Sequence, residues 1–228
     1  MDNRAFDRLA AWAAMAVALL SLVYAVGYLF VAPAAQRKND VDAFYRSYLA
    51  HPDGMRIAAT CLLVSGIIIG LPLLALSRRL AAAGPLVSWG AIIGVVSGFA
   101  TAAHGLSSLI GTDRLAHSFA TADAATHPAI VLAHAAPSAI DPAGLATFGV
   151  TGLAALAFGV ALRGARKGLG TLGIALGIDL VALFLANAVG STPLVLLTGG
   201  LASVVLGPIW YVSLGRLLLT PAATAPAA

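Results

Sequence analysis

The sequence predicts an all-α polytopic membrane protein, a bundle of six transmembrane helices with short extracytoplasmic capping helices. Hydrophobic residues make up 60% of the chain and charged residues 10%, against roughly 45–50% and about 25% in soluble domains. The charges are confined to a few short stretches, which leaves long apolar runs without them. A water-soluble protein of 228 residues could not bury this much apolar surface in one core. We therefore predict a single integral membrane domain over residues 1–228.

Six segments are long and apolar enough to cross the roughly 30 Å of hydrocarbon, which takes about 20 helical residues. We place them at residues 9–31, 55–76, 86–109, 143–162, 170–189 and 193–214. Arg4 and Arg8 before the first run, and A-P-A at 32–34 after it, partly resemble a signal peptide. The run exceeds the about 7–15 apolar residues of a signal core. We expect the segment to be retained, with cleavage as the alternative.

The distribution of lysine and arginine predicts that both termini are cytoplasmic. The inner segments then carry eight of the 13 basic residues, namely Arg4, Arg8, Arg78, Arg79, Arg163, Arg166, Lys167 and Arg216. The outer segments carry the other five, namely Arg37, Lys38, Arg46, Arg56 and Arg114. Trp12, Trp89 and Trp210 fall toward the inner ends of their spans, as expected of interfacial belt residues.

A short amphipathic helix is predicted between the first two spans. Its apolar residues follow i, i+3, i+4, i+7 and i+8, with Asn39 as the N-cap, and they are Val41, Phe44, Tyr45, Tyr48 and Leu49. We expect it to cover the outer end of the bundle. The alternative is an interfacial helix lying on the outer leaflet.

Two further short helices are predicted in the loop after the third span. Thr112 would cap the first, over residues 113–124, and Pro128 would begin the second, with Thr126 or His127 as its cap. Pro137 would end the second helix near Ala136. We expect it to lie on the outer surface, with a re-entrant segment as the alternative.

Glycines four residues apart on three spans predict close helix–helix contacts; they are Gly66, Gly70, Gly90, Gly94, Gly98, Gly173 and Gly177. The same faces could serve a homo-oligomer or a partner in a membrane complex. Pro72 and Pro208 should kink the second and sixth spans. A faint repeat matches Gly94 with Gly177 and His104 with Asn187, although chance also produces such matches in a chain rich in Ala, Gly and Leu.

An intramembrane polar site is predicted from Asp179, Asn187 and His104. Asp179 is the only acid within a span, so it should face the bundle interior, and desolvation favours its protonated, hydrogen-bonding form. Hydroxyl groups at similar depth could be its partners: Ser65, Ser97, Thr151 and Ser203. Asp179 is either a proton- or cation-coupling acid or one end of a structural interhelical hydrogen bond.

All five histidines fall at or beyond the outer membrane boundary, and they are His51, His104, His117, His127 and His134. With nearby carboxylates they could bind zinc or copper, or two of them haem iron. Their spacing matches no H-x-x-x-H, H-E-x-x-H or C-x-x-C-H motif, so we expect no cofactor and keep metal or haem as the alternative. Cys61 is the only cysteine, which excludes an intramolecular disulfide.

Enzyme and nucleic-acid motifs are not found. The sequence has no G-x-x-x-x-G-K-[ST] and no G-x-S-x-G motif, and its basic residues are too dispersed for nucleic acid. We therefore name no catalytic residue and expect the bilayer to be the main partner.

The end of the sixth span, L-G-P-I-W-Y-V-S-L-G-R-L-L at residues 206–218, resembles the closing element of uncharacterised multi-pass bacterial membrane protein families. In those families P-x-W-[YF] precedes a G-x-x-L end. The resemblance implies six spans and a bacterial inner membrane, and it implies no catalytic residues. In this segment Pro208 would kink the helix, and Trp210 and Tyr211 would anchor it at the interface.

The functional hypothesis is a small transporter-like or ligand-sensing bundle, with Asp179 inside it and an outer vestibule near His104 and Asn187. One alternative is a membrane redox protein that binds metal or haem through the outer histidines. The other is a structural accessory subunit of a membrane complex.

Overall fold

The computed structural model describes residues 3–28, 34, 40–136 and 140–220. The predicted fold class is confirmed, because the structure is 90% helical, without a strand among these residues. In this described part of the chain, six helices are long and apolar enough to cross a membrane, so the chain is a multi-pass membrane protein. Several sequence features lie outside the described residues: the end of the first predicted span, Arg37, Lys38, Asn39 and Pro137.

The six long helices are α1 (Asn3–Val26), α3 (Asp53–Arg79), α4 (Pro85–Thr121), α6 (Pro142–Arg163), α7 (Lys167–Ala188) and α8 (Thr192–Leu219). Two short helices, α2 (Val41–Ala50) and α5 (His127–Ala135), lie between them. We call the end of the bundle with Asn3 and Leu219 the termini end, and the opposite end, covered by α2 and α5, the cap end. A single 3₁₀ turn, Ala81–Ala83, joins α3 to α4.

The third span is longer than predicted. Helix α4 runs unbroken for 37 residues, about 55 Å at 1.5 Å per residue. The predicted helix start at Thr112 is wrong, because α4 continues through this residue. Asp113 bonds to Tyr48 of α2, and Ala116 is buried in a small cluster with Ile130. These tertiary contacts stabilise the extension, which projects beyond the span as a support for the cap.

Helix α2 covers the end of the bundle, as expected. The carboxylate of Asp40 accepts the Ala43 N–H at 2.9 Å, so Asp40 is the N-cap, one residue after the predicted position. Phe44, Tyr45 and Tyr48 are buried and form a second apolar cluster with residues of α4 and α5. The tyrosines therefore contact protein, which contradicts an interfacial helix with its aromatic stripe in lipid. Of α5, only Ile130 is buried.

Glycines let the helices of two antiparallel hairpins approach closely. A Cβ on Gly66 of α3 would overlap backbone atoms of Gly98 and Ala102 on α4, and a Cβ on Gly159 of α6 would meet those of Gly170 and Ile174 on α7. Gly70 is different, because its nearest neighbour would be a Val95 methyl at 3.4 Å. Most of the predicted glycine contacts therefore lie inside the chain.

The end of α8 departs from prediction. Trp210 and Tyr211 are buried in the main apolar core, so they are not interfacial anchors. Gly173 of α7 makes room for the Trp210 indole, since a Cβ there would lie 2.8 Å from Nε1. Trp12 and Trp89 do face outward, with 64% and 47% of their surface exposed, as belt residues should be.

Helical irregularities stand next to both predicted kinks. Helix α3 is interrupted at Ile69, just before Pro72, and the π-helical turn Leu201–Leu206 of α8 ends directly before Gly207 and Pro208. A proline lacks the N–H that would bond to the carbonyl four residues earlier. A second π-helical turn, Leu145–Val150 of α6, contains no proline and was not predicted.

Arg79 ties three helices together at the termini end. Its guanidinium donates to the Asp7 carboxylate at 2.7 Å and to the last carbonyls of α8, those of Leu217 at 2.8 Å and Leu218 at 2.7 Å. These carbonyls have no partner within the helix. The arginine therefore caps α8 and neutralises Asp7 of α1 at the same time.

Replacing Arg79 by alanine should lower the free energy of unfolding by about 2–3 kcal/mol, because loss of a mostly buried guanidinium leaves Asp7 Oδ2 and the last carbonyls of α8 without this donor. The matched control is Arg78→Ala. Arg78 also bonds to Asp7, at 2.9 Å, but its side chain is 44% exposed against 16% for Arg79, so its loss should cost under about 1 kcal/mol. Thermal unfolding in detergent measures both. Equal losses would contradict the capping role.

Candidate functional site

A cavity of about 840 Å³ lies within the cap end of the bundle. Apolar and aromatic side chains form most of its wall, the aromatic ones being Tyr24, Tyr28, Phe44, Tyr48 and Phe148. A few ionisable or amide side chains also reach it, namely Arg56, His104, His134, Asp141 and Asn187. A volume of this size, with an apolar wall and few polar groups, is typical of small-molecule sites.

A smaller cavity of about 110 Å³ continues toward the middle of the bundle. The two spaces share wall residues, including Tyr24, Phe148 and Ser203. The smaller one is also lined by Thr147, whose buried hydroxyl has no hydrogen-bond partner in the described part of the chain. The cavities together therefore extend from the cap end toward the membrane interior.

A three-residue cluster joins the cap to the wall of the large cavity. The Tyr48 hydroxyl donates to Asp113 at 2.6 Å, and Arg56 Nη2 donates to the same oxygen at 2.8 Å. Burial, together with the bond to Asp113, raises the pKa of Tyr48 to about 12. Tyr48 therefore stays protonated at neutral pH and holds α2 against α3 and α4.

Asp141 is a buried carboxylate at the start of α6 that the sequence did not single out. It accepts the N–H groups of Ala146 at 2.7 Å and Thr147 at 3.2 Å, and His104 Nδ1 lies 3.5 Å from its Oδ2. It therefore caps the helix from inside the cavity wall. Asp-Pro directly before an apolar run is a helix-start signal that would have identified it.

The backbone beside Asp141 is unusual. Ala143 has φ +53° and Gly144 has φ +75°, and both line the large cavity. A left-handed alanine costs roughly 1–2 kcal/mol, so surrounding contacts must hold it in place. Backbone strain of this kind is often found at ligand-binding sites, which supports a ligand-binding role for this part of the cavity wall.

The structure brings together two of the three residues of the predicted polar site. His104 and Asn187 both line the large cavity, and the Asn187 amide donates to the Leu183 carbonyl at 3.2 Å. Asp179 is buried, with 8% of its surface exposed, but it lines neither of these cavities. The site therefore divides into a cavity wall and a separate buried acid.

None of the expected partners donates to Asp179 in the described part of the chain. Thr151 bonds to Ser97 at 3.0 Å, Ser65 bonds to its own helix, and the Ser203 carbonyl accepts from Ser21 at 3.1 Å. Asp179 Oδ2 is buried without a hydrogen-bond partner among the described residues. The interhelical hydrogen bond expected of a structural Asp179 is therefore not seen among the described residues.

The five histidines lie at the cap end but do not converge. His127 Nε2 lies 2.9 Å from Asp42 Oδ1, and His134 Nδ1 lies 3.1 Å from the Tyr45 hydroxyl. His51 and His117 are exposed, while His104 is next to Asp141. Within the described ranges, no three His, Cys, Asp or Glu side chains are close enough to hold a metal ion.

No protein-family model, curated protein or solved structure matches the chain.

Proposed function

We propose that this protein binds small molecules from within the membrane bundle, as a transporter-like or ligand-sensing protein. The observation that carries the proposal is the cap-end cavity of about 840 Å³. Ligand pockets of soluble and membrane proteins commonly enclose about 300–1,000 Å³. The wall supplies hydrogen-bonding groups at His104 and Asn187 beside aromatic rings, which suits a neutral or amphipathic ligand.

We further propose that the cavity opens away from the cytoplasm. The termini end carries Arg78 and Arg79 at the end of α3 and Arg163 at the end of α6. It also carries Arg166 and Lys167, directly before and at the start of α7. Short loops rich in Lys and Arg stay on the cytoplasmic side. Both termini are then cytoplasmic. The location in a bacterial inner membrane rests on the resemblance of residues 206–218 to bacterial families.

Asp179 would be the coupling acid of such a protein. A structural carboxyl buried in a bundle normally has its oxygens hydrogen-bonded, whereas Asp179 Oδ2 has no partner among the described residues. Ionisable residues within transmembrane helices commonly serve proton or ion pathways. Helix α7, which carries Asp179, packs against the π-helical turns of both α6 and α8, and such turns are frequent at functional sites.

Two other proposals receive less support from the structure. A metal- or haem-binding redox protein would need histidines that converge, and the described ones take part in separate contacts. A partner bound through glycine faces would compete with contacts inside the chain, such as that between Gly66 and Gly98. Homo-oligomerisation and an accessory role remain predictions.

Cysteine labelling tests the vestibule, because Cys61 is the only cysteine of the chain. In a Cys61→Ser background, Asn187→Cys should react with a water-soluble, membrane-impermeant thiosulfonate added from the side opposite the termini. Leu185→Cys is the matched control, since Leu185 lies on the same helix, is 53% exposed and lines neither cavity. The reactive thiolate needs water, so we expect labelling at least about tenfold faster at position 187.

The same variant identifies ligands. Compounds from a panel of neutral and amphipathic small molecules that enter the cavity should slow the labelling of Asn187→Cys. Labelling as slow as that of the control would disprove the vestibule. Fast labelling that no compound of the panel slows would reject ligand binding in favour of a merely hydrated cavity.

A further inference from the structure

A groove of about 490 Å³ lies at the termini end, between the beginning of α7 and the last turns of α8. Three basic residues line it, Arg166, Lys167 and Arg216, together with the hydroxyl-bearing Ser213. Leu169 and Leu217 complete its apolar side. It lies at the opposite end of the bundle from the proposed ligand site and does not depend on that proposal.

Within the described residues, the three bases differ from Arg78 and Arg79 in having no acidic partner. Arg78 and Arg79 both pair with Asp7. No ion pair with an acid joins Arg166, Lys167 or Arg216 within the described ranges, and all three are exposed. Three like charges around one groove repel each other, and an anion between them would relieve that repulsion.

The surroundings of the groove favour an amphipathic anion over a free one. Leu169 and Leu217 are half-buried and provide an apolar surface in the same groove as the charges. Trp12 and Trp89 are exposed toward the same end, where tryptophans mark the boundary between head groups and hydrocarbon. A molecule with a charged head and an apolar tail would meet both surfaces at once.

We infer that this groove binds the head group of an anionic phospholipid. Arg166 and Arg216 can each offer two parallel N–H donors to a phosphate, and Lys167 adds a point charge. The acyl chains would run past Leu169 and Leu217 into the bilayer. Basic pockets between transmembrane helices on the cytoplasmic side are known to bind anionic head groups in this way.

Native mass spectrometry of the purified full chain, titrated with phosphatidylglycerol or phosphatidylcholine, tests the inference. We expect phosphatidylglycerol to bind at least about tenfold more tightly than phosphatidylcholine, and Lys167→Gln/Arg216→Gln to lose about tenfold or more of that affinity. The charge-conserving Lys167→Arg/Arg216→Lys should retain most of it, which separates lost binding from misfolding.

The matched control is Arg8→Gln/Arg163→Gln, which removes two exposed charges from the same end but outside the groove. An equal loss in this control would show general surface attraction and overturn the inference. Equal affinity for the two lipids would also overturn it. A further titration uses inorganic phosphate. If it binds with an affinity equal to that of phosphatidylglycerol, the groove is a site for free phosphate and not for a lipid head group.

Discussion

Gly66→Ala should separate α3 from α4 and lower the free energy of unfolding by about 3 kcal/mol or more, at or beyond the upper end of overpacking effects. A Cβ at this position would overlap the Ala102 backbone nitrogen and lie 2.5 Å from the Gly98 carbonyl oxygen. Neither atom belongs to a flexible side chain, so the helices must move apart. Thermal unfolding in detergent and the folded fraction on size exclusion measure the effect.

Gly70→Ala is the control for this prediction, because Gly70 lies one turn later in the same G-x-x-x-G pattern. Its Cβ would lie 3.4 Å from a Val95 methyl group, and alanine has the higher helix propensity by about 1 kcal/mol. We expect stability within about 1 kcal/mol of the unchanged chain. A loss of stability equal to that of Gly66→Ala would show that the G-x-x-x-G pattern, and not the close approach of the two backbones at Gly66, decides stability.

The spans could be predicted because they depend on composition and length alone. Their apolar runs are separated by short charged loops such as S-R-R-L at residues 77–80, and each predicted span corresponds to one long helix. The extension of α4 could not be predicted this way. Gly111 and Thr112 resemble a helix boundary locally, and only the contacts of Asp113 and Ala116 with α2 and α5 show why the helix continues.

The candidate site was only partly predictable, for a similar reason. His104 and Asn187 are conspicuous as polar residues at the ends of apolar runs. Tyr48, Arg56 and Asp113 come from three helices, and Tyr48 and Asp113 are 65 positions apart, a separation that no periodic pattern reveals. For Trp210 the prediction was wrong. Its position at a span end predicted a ring at the membrane interface, but the space opposite Gly173 allows the ring to pack in the core.

Asp141→Ala should lower the free energy of unfolding by about 2–3 kcal/mol, because the N–H groups of Ala146 and Thr147 would lose their acceptor in a buried position. Asp141→Asn keeps one acceptor oxygen, so we expect an intermediate loss. Thermal unfolding in detergent provides the measurement. Asp123→Ala is the control: the Asp123 carboxylate also accepts two N–H groups, at 3.1 and 2.9 Å, but it is exposed and should change stability little.

Asp141→Ala should also alter the cavity, because the capped turn holds Ala143 and Gly144 in left-handed conformations within its wall. Without the carboxylate, Ala143 can relax to an ordinary backbone conformation, and His104 loses the partner at 3.5 Å. Compounds that slow the labelling of Asn187→Cys should then lose their effect, while Asp123→Ala leaves it intact. Unchanged stability and unchanged protection in Asp141→Ala would together show that α6 begins without this cap and that the ligand does not use this wall. A change in protection alone would instead indicate that Asp141 shapes the ligand-binding wall without stabilising the start of α6.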